Sequence, residues 1–465
     1  MRKLFTLLTL AVAFLATAQH NLCIYRNDSI FHQIKLSDGE WLSHTVNGDS
    51  ITANFTDFIS GDVSVPIATI DSCIFRASDI PVLRLTFPDF PEADALWEKE
   101  LYVDALLDIE GNGFCEDEEG LTLQVKGRGN STWGMSKKPM RMKFPKKISL
   151  CGFKKMKNYV LLNNHVDPTL MRNVMAMWLA RRVGVPYANT MVPCHVFIND
   201  HYAGAYTMTE KVGINSGSVD IDEEKGILFE VSIEYDEEFK FRSRHWDLPM
   251  MVKDPDFGEL YEEDRKGMTA LQRLCKWEED WNNAEYAVGK GRAGEVFDMQ
   301  SVVNFIFVNE FVCNHELGYP KSLYIHKKSL DEGEKYYFGP VWDFDAAFNI
   351  KRWNSTENET TVSSPDDNIW LHDFLLRLRS HPEYKELHAR LVKEFEEEIF
   401  PEMMDYFDEY AALIEPSAKL NAMRWPGPEV VQDWTYRESS FDTDRHIGEM
   451  RDWLIARKNH ICSSK

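Results

Sequence analysis

Two stretches of the chain decide its fold and its chemistry: residues 126–144, KGRGNSTWGMSKKPMRMKF, and residues 339–348, GPVWDFDAAF. Apolar and polar residues alternate over 121–126 and over 140–144, on the two flanks of a loop. A period of two is typical of half-buried strands. The loop between these flanks combines glycines, among them Gly127 and Gly129, with short polar side chains and a high density of Lys and Arg. Glycines allow close backbone approach, and free amides beside basic side chains suit an anion such as phosphate. We therefore predict an anion-binding loop between two paired strands, with a solvated hairpin as the alternative.

The second stretch places Asp343 and Asp345 two positions apart inside an aromatic run. On an extended segment these two side chains point the same way. Carboxylate oxygens are the ligands that a hard cation such as magnesium prefers. Two acids at an exposed strand end are the alternative, but the flanking Trp342 and Phe344 favour burial, and buried carboxylates need a partner. The pattern predicts a metal site.

A helix is predicted after the first stretch. Asp167 and Pro168 are typical of a helix N-cap and first turn, and Gly184 is placed to end the helix. Arg172 and Asn173 lie in its first turns. We predict them as surface or capping residues, with a role in the site as the alternative.

The chain between this helix and the aspartates alternates between strand and helix patterns. Two runs over 191–212 predict a hairpin that ends in Glu210, a carboxylate able to pair with a base of the loop or to form an ordinary surface pair. Residues 232–294 predict short helices and loops. Residues 301–313 are apolar on nearly every side and predict a buried helix, and 322–328 predict a strand.

Composition at the start of the chain predicts export. Residues 1–18 have two bases, a short apolar run and small residues at the end, which is typical of a secretory signal peptide. Residues 19–79 then predict a small β accessory module, with a spacer or packing role as the default. Residues 80–465 form the main domain, helical from about residue 365. No later stretch is apolar for long enough to be a transmembrane anchor.

Charge and cysteine content narrow the partners. The formal net charge of -23 argues against nucleic acid and anionic lipid, and makes the basic loop stand out. Eight scattered cysteines without a CxxC pair argue against zinc, whereas disulfides fit an exported protein.

Five ordered blocks carry a resemblance to a known family: RGNSTWGMSKKPMRMKF, VLLNNHVDPTLMRN, FINDHYAGAYTMTEKV, PKSLYIH and PVWDFDAAF. Together they resemble the CotH spore-coat kinase-like family over residues 81–350, and the β module resembles that of exported Bacteroidetes-type members. The resemblance implies an α+β fold with a diverged protein-kinase-like core, a mixed or antiparallel sheet and a helical C-terminal lobe. It also implies ATP and Mg²⁺ as cofactors and transfer of the γ-phosphoryl group to Ser or Thr of an unidentified protein substrate.

The same resemblance implies roles for particular residues. Asp343 would act in catalysis and, with Asp345, in metal binding, and Glu316 would be the catalytic base. The nucleotide would be held by Lys126, Arg128, Asn130, Ser131, Lys138, Arg141, Lys143 and Glu210.

One departure from the family pattern keeps a second function open. Many members have Asp and an Asn-containing segment where this chain has Glu316 and Ser322. A catalytically weak or inactive surface or secreted binding protein is therefore the alternative to a kinase. A metal-dependent hydrolase using Asp343 and Asp345 is a third hypothesis, disfavoured because no HExxH, GxSxG or His cluster accompanies the acids.

Overall fold

The computed structural model describes residues 20–26, 29–35, 42–47, 50–57, 61–66, 72–77, 80–89, 98–255, 270–317, 320–345, 347–348, 369–426 and 442–463. The predicted signal peptide over 1–18 lies outside the described residues. Within the described part of the chain, no helix is both long and apolar enough to cross a bilayer.

The N-terminal apolar runs form two three-stranded antiparallel sheets, ordered β2-β1-β6 and β3-β4-β5. Their strands are β1 His20–Arg26, β2 Ser29–Lys35, β3 Leu42–Asn47, β4 Ser50–Asp57, β5 Gly61–Pro66 and β6 Ser72–Ala77. The strand content expected of a β module is confirmed, and the domain boundary at residue 79 stays a prediction.

Seven further strands close into a barrel, in the order β10-β11-β13-β12-β7-β8-β9. They are β7 Val82–Thr86, β8 Val103–Glu110, β9 Glu118–Gly127, β10 Met140–Ile148, β11 Met156–Leu162, β12 Val192–Ile198 and β13 His201–Glu210. β7 and β12 pair in parallel, and the other neighbours are antiparallel. Alternating burial along β8 directs every second side chain into the barrel core. The predicted strand pair is confirmed as β9 and β10, with Arg141 opposite Lys126.

A second sheet has the order β15-β16-β14-β17-β18. Its strands are β14 Ile227–Val231, β15 Lys240–Arg242, β16 Pro249–Asp254, β17 Leu323–Lys327 and β18 Tyr336–Phe338. The expectation of short helices and loops over 232–294 was wrong, because two of these strands and a 20-residue helix, Ala270–Gly289, lie there. The central strands β14 and β17 are buried at every position, so both faces are covered by other elements.

The helices are α1 Arg172–Val183, α2 Ala270–Gly289, α3 Ala293–Val296, α4 Met299–Phe311, α5 Ile369–Ser380, α6 Pro382–Glu394, α7 Phe400–Arg424 and α8 Thr443–Ser463. A π-helical turn, Phe395–Ile399, joins α6 to α7. The predicted buried helix is confirmed as α4, which is buried at nearly all of its positions. Helices α5 to α8 confirm the helical C-terminal part, and the fold is a mixed α+β structure.

The start of α1 differs from the prediction. Leu170 has a left-handed backbone with φ of 56°, which a continuous helix cannot include. The helix therefore begins at Arg172, whose N–H donates to Asp167 Oδ2 at 2.9 Å. Asp167 still caps the helix, from a greater distance along the chain than an ordinary N-cap. Gly184, with φ of 82°, ends the helix as predicted.

A disulfide connects Cys115, in the loop before β9, to Cys151, in the β10–β11 connection. It closes a segment with a sequence separation of 36 residues that contains the whole loop between β9 and β10. The disulfide ties together the two ends of the strand pair that presents this loop.

Candidate functional site

A cleft of about 270 Å³ lies where the barrel meets the second sheet. Its lining comes from distant parts of the chain: the loop after β9, the end of β11, the start of α1, three strands of the second sheet, and the segment after β18. These residues are Arg128 to Thr132, Met135, Pro139, Leu162, Asn163, Val166, Asn173, Glu230, Ser232, Glu234, Asp236, Lys253, Glu316, Lys321, Ser322, Tyr324, Trp342, Asp343 and Asp345.

The loop after β9 forms one wall of the cleft. Gly129 has φ of 85°, and a Cβ atom added there would lie 2.4 Å from Thr132 Oγ1. Only glycine therefore fits this turn without displacing a neighbour. Gly127 has a different role: an added Cβ would meet the Trp133 ring at 2.3 Å, so this glycine makes room for the tryptophan.

Lys137 anchors the base of this loop, although the sequence interpretation gave this residue no role. Its Nζ donates to Asn421 Oδ1 in α7 at 2.7 Å and to the Ala205 carbonyl at 2.5 Å. Burial lowers the pKa of Lys137 well below its ordinary value. The Lys137 carbonyl accepts from Asn163 Nδ2 at 2.6 Å, and Asn163 lines the cleft. The base of the loop is therefore fastened to the helical part of the molecule.

Three carboxylates reach the cleft from two segments. Glu316 lies in a 3₁₀ turn after α4, and Asp343 and Asp345 follow β18. The aspartate segment is not an extended strand as expected, because Asp343 has φ of 64°, yet both aspartates line the same cleft. A non-glycine residue in this region is uncommon and occurs more often at functional sites.

Asn173 holds the aspartate segment in place. Its Nδ2 donates to Asp345 Oδ1 at 2.6 Å, and its Oδ1 accepts from the Phe344 N–H at 3.1 Å. The predicted surface position of Asn173 was wrong, because the residue is buried and lines the cleft. Arg172 is buried too: it pairs with Asp167 and donates from Nε to the Ala347 carbonyl at 3.2 Å. The first turn of α1 thus positions the acidic segment from two sides.

The electrostatics of the cleft are dominated by acids. Removal from bulk water, together with the neighbouring Asp343 charge, raises the pKa of Asp345 to about 7. Burial lowers the pKa of Arg128, while the charge of Asp343 opposes this shift. Six carboxylates, Glu230, Glu234, Asp236, Glu316, Asp343 and Asp345, line the cleft against three cations, Arg128, Lys253 and Lys321. This excess of negative charge suits a ligand that arrives with a cation.

A metal ion would need ligands from outside the protein at this site. Among the described residues, no group of three or more His, Cys, Asp or Glu side chains is arranged to hold a metal. Magnesium is commonly bound by one or two carboxylates together with substrate phosphate and water. The pair Asp343 and Asp345 fits that donor set.

The sequence interpretation did not include an ion pair in the cleft between the buried Glu230 and the half-buried Lys253. Lys253 Nζ lies 3.1 Å from Glu230 Oε2, and the Ser322 N–H donates to Glu230 Oε1 at 3.2 Å. Burial lowers the pKa of Lys253, but Glu230 and Glu237 outweigh this effect and raise it. The signal available in the sequence was the single charge in the apolar run ILFEV, since a buried charge needs a partner.

The residues predicted to bind nucleotide separate into two groups. Arg128, Asn130 and Ser131 line the cleft. Glu210 does not; it is buried, and its carboxylate accepts from the Thr190 N–H at 2.8 Å and from Thr209 Oγ1 at 3.1 Å. These bonds take the place of both predicted alternatives, a pair with a base of the loop and an ordinary surface pair.

The other four predicted bases also lie outside the cleft lining. Lys138 donates to the Trp133 carbonyl at 2.8 Å, and Arg141 donates to Asn158 Oδ1 at 2.9 Å. Lys126 and Lys143 lie on the outer face of the barrel near one tyrosine ring. Their predicted part in nucleotide binding stays a prediction.

The fold and the cleft define a class: a mixed α+β protein in which an acidic cleft, with a glycine-containing basic loop as one wall, lies where a closed barrel meets a second sheet. A family model described as CotH kinase protein matches residues 125–461, which is more than half of the chain and includes nearly every residue of the cleft. The chain belongs to the CotH kinase family. A comparison with curated proteins found no match.

Proposed function

We propose that the protein is an ATP- and Mg²⁺-dependent phosphotransferase that modifies Ser or Thr hydroxyls of a protein, built on a diverged protein-kinase-like core. The observation that carries this proposal is the convergence in one cleft of a glycine-turned polar loop, Arg128 and three carboxylates. Phosphoryl transfer depends mainly on positioning and charge stabilisation, and these groups supply both. Membership in the CotH kinase family supports the same activity.

Each group has a distinct task in the proposed reaction. Arg128, with the loop at Asn130 and Ser131, would hold the phosphates. Asp343 and Asp345 would hold Mg²⁺, which when bound neutralises phosphate charge. Glu316 would take the proton of the substrate hydroxyl. The hydroxyl oxygen would then form a bond to the γ-phosphorus, while the bond from that phosphorus to the bridging oxygen breaks and ADP leaves with that oxygen.

We also propose that the protein acts outside the cytoplasm, in the periplasm, at the cell surface or after secretion. The signal-like residues 1–18 support export. The disulfide between Cys115 and Cys151 supports it independently, because disulfides persist mainly in oxidising compartments.

A catalytically weak or inactive binding protein is the second candidate. Glu316 carries one methylene more than the aspartate expected at this position, and a displacement of about 1 Å can cost roughly a hundredfold in rate. Ser322 lines the cleft with φ of 53° and offers a hydroxyl where the family pattern has an amide. Both departures weaken catalysis more than they weaken nucleotide binding.

Thermal unfolding with ATP, with and without Mg²⁺, tests the nucleotide site. A ligand at about 100 times its Kd stabilises the folded state by about 2.7 kcal/mol and raises Tm. We expect a Mg²⁺-dependent rise that Asp343→Asn abolishes and Asn173→Ala reduces. The matched control is Asp452→Asn on α8, an exposed acid distant from the cleft in sequence. No rise in the wild-type protein up to millimolar ATP would refute the proposal.

Transfer of phosphate separates the two candidate functions. The protein is incubated with ATP labelled on the γ-phosphate and a mixture of Ser- and Thr-containing peptides, and label on peptide is counted. Label that Glu316→Gln and Asp343→Asn both abolish supports the phosphotransferase. ATP binding without transfer would assign the protein to the binding-protein class.

A further inference from the structure

The barrel carries a cationic face that the cleft does not use. Residues 121–166 contain no Asp or Glu and eleven Lys or Arg, in a chain whose net charge is -23. This segment includes β9, β10 and β11, three neighbouring strands of the barrel. Two exposed bases of the segment, Lys147 and Lys154, pair with Glu223 and Asp220. We call the remaining exposed or half-buried bases of the barrel surface the cationic face: Lys126, Arg141, Lys143, Lys146, Lys155 and Lys157.

The arrangement of these bases is unfavourable for the fold. Arg141 lies directly opposite Lys126 across the β9–β10 pair, and like charges in that position destabilise a sheet. Three cations gather near the ring of Tyr102: Lys126 at 5.2 Å, Lys143 at 5.5 Å and Arg141 at 5.9 Å from its centroid. The Tyr102 ring partly offsets this repulsion through cation–π contacts, while main-chain pairing of the strands does not itself require charged side chains here.

The protein's own acids neutralise this face only in part. Lys126 pairs with Glu100 at 2.7 Å, while Arg141 is bonded to the neutral Asn158. Lys143, Lys146, Lys155 and Lys157 are exposed, and within the described part of the chain none of them forms an ion pair. Burial, and then the positive charge of Arg141, lower the pKa of the nearby Lys211 to about 8.

The cationic face continues into the cleft. Outward positions alternate along β9, and the next position in this alternation after Lys126 is Arg128, which follows the end of the strand at Gly127 and lines the cleft. From Arg141 to Lys147 a strand covers roughly 20 Å, the length of about six extended residues. A segment bound along β10 would therefore have its neighbouring residues at the cleft entrance.

We propose that the cationic face binds an acidic segment of the protein substrate and thereby selects hydroxyls flanked by Asp and Glu. That the bound segment belongs to a substrate rests on the proposed phosphotransferase function, whereas the binding of an acidic segment does not. An acidic peptide fits better than nucleic acid or an anionic membrane. The net charge of -23 repels an extended polyanion, which would contact more of the molecule than a short acidic segment does.

Fluorescence anisotropy with labelled peptides tests the proposal. The probes are a Ser peptide flanked by Glu, the same peptide with Gln, and the same peptide with Lys. We expect binding of the Glu peptide alone, weakening as salt rises from about 50 mM to about 300 mM. Neutralising three exposed bases, Lys146→Gln, Lys155→Gln and Lys157→Gln, is expected to weaken it roughly tenfold. Lys143→Gln alone should cause a smaller loss.

The matched control removes three exposed lysines from other elements: Lys276→Gln, Lys290→Gln and Lys385→Gln. It has the same net charge as the triple variant of the cationic face, so equal weakening by both would show an effect of overall charge and overturn the proposal. Wild-type affinity in the triple variant, or tighter binding of single-stranded DNA or anionic vesicles than of the Glu peptide, would overturn it as well. An ATP titration of the same proteins reports separately on the phosphotransferase site, so failure there is distinguishable from failure of peptide binding.

Discussion

Two arginines of helix α1 allow a test of how much the burial of an ion pair contributes to the stability of the fold. Arg172 pairs with the single carboxylate of Asp167, and their side chains are 7% and 1% exposed. Arg182, ten positions later, contacts Glu394, Glu398 and Glu402, and its own side chain is 29% exposed. If the number of ionic partners decided how much an arginine stabilises the fold, replacing Arg182 would cost more than replacing Arg172. If burial decides, replacing Arg172 costs more.

The expected magnitudes favour Arg172 clearly. Arg172→Leu leaves the Asp167 carboxylate buried without its cation, which costs about 3 to 5 kcal/mol. The lost hydrogen bond from Arg172 Nε to the Ala347 carbonyl adds about 1 kcal/mol. Asp167 keeps its bonds from the Thr169 main chain and side chain, so we expect a total of about 4 kcal/mol. Arg182→Leu breaks only exposed pairs, and we expect at most about 1 kcal/mol.

Urea unfolding of both variants, extrapolated linearly to water, measures the two losses. A double variant, Asp167→Asn with Arg172→Leu, should recover part of the loss because it removes the uncompensated charge. Since Ala347 follows Asp345 by two residues, Arg172→Leu should also reduce the Mg²⁺-dependent rise in Tm with ATP. Equal losses for the two single variants, or no recovery in the double variant, would refute the reasoning.

Two further predictions concern the loop and the buried histidines. Gly129→Ala should lower the free energy of unfolding in urea by about 1 to 3 kcal/mol and lower ATP affinity, because the added Cβ clashes with Thr132. The control for backbone strain alone is Gly113→Ala, since Gly113 has φ of 79° and open space around it. An equal loss of stability in both variants would contradict the clash. Burial lowers the pKa of His195 to about 3 and of His326 to about 4. Below pH about 6.5 the unfolded chain therefore binds protons that the native protein does not, and each histidine lowers stability by up to about 1.4 kcal/mol per pH unit as pH falls toward the native pKa. Unfolding of wild-type and His326→Asn protein at several pH values isolates this term, since other groups cancel in the difference; a difference that does not change between pH about 7 and about 5 would contradict it.

Local pattern determined several elements of this protein. The alternation on both sides of the loop predicted β9 and β10. The hairpin of β12 and β13 followed from two strand-like runs joined at Asn199 and Asp200, which have φ of 46° and 67°. The all-round apolar run predicted the burial of α4. These inferences succeeded because hydrophobic period and turn chemistry depend on residues that are close in sequence.

The same local patterns did not predict which residues form the site. Asn173 was predicted as a surface residue, yet it binds Asp345, 172 positions away. Glu230 received no role, yet it pairs with Lys253 inside the cleft. Lys126 and Arg128 had the same expected role, yet one points to the outer barrel face and the other to the cleft.

The sequence by itself determined several of the strands, the buried helix, the basic loop with its acidic counterpart, and the family. Only the tertiary structure decided which of those side chains meet. The physical reason is that spacing along the chain sets a side chain's direction relative to its own strand or helix, whereas closure of the barrel and its packing against the second sheet set which of those directions converge.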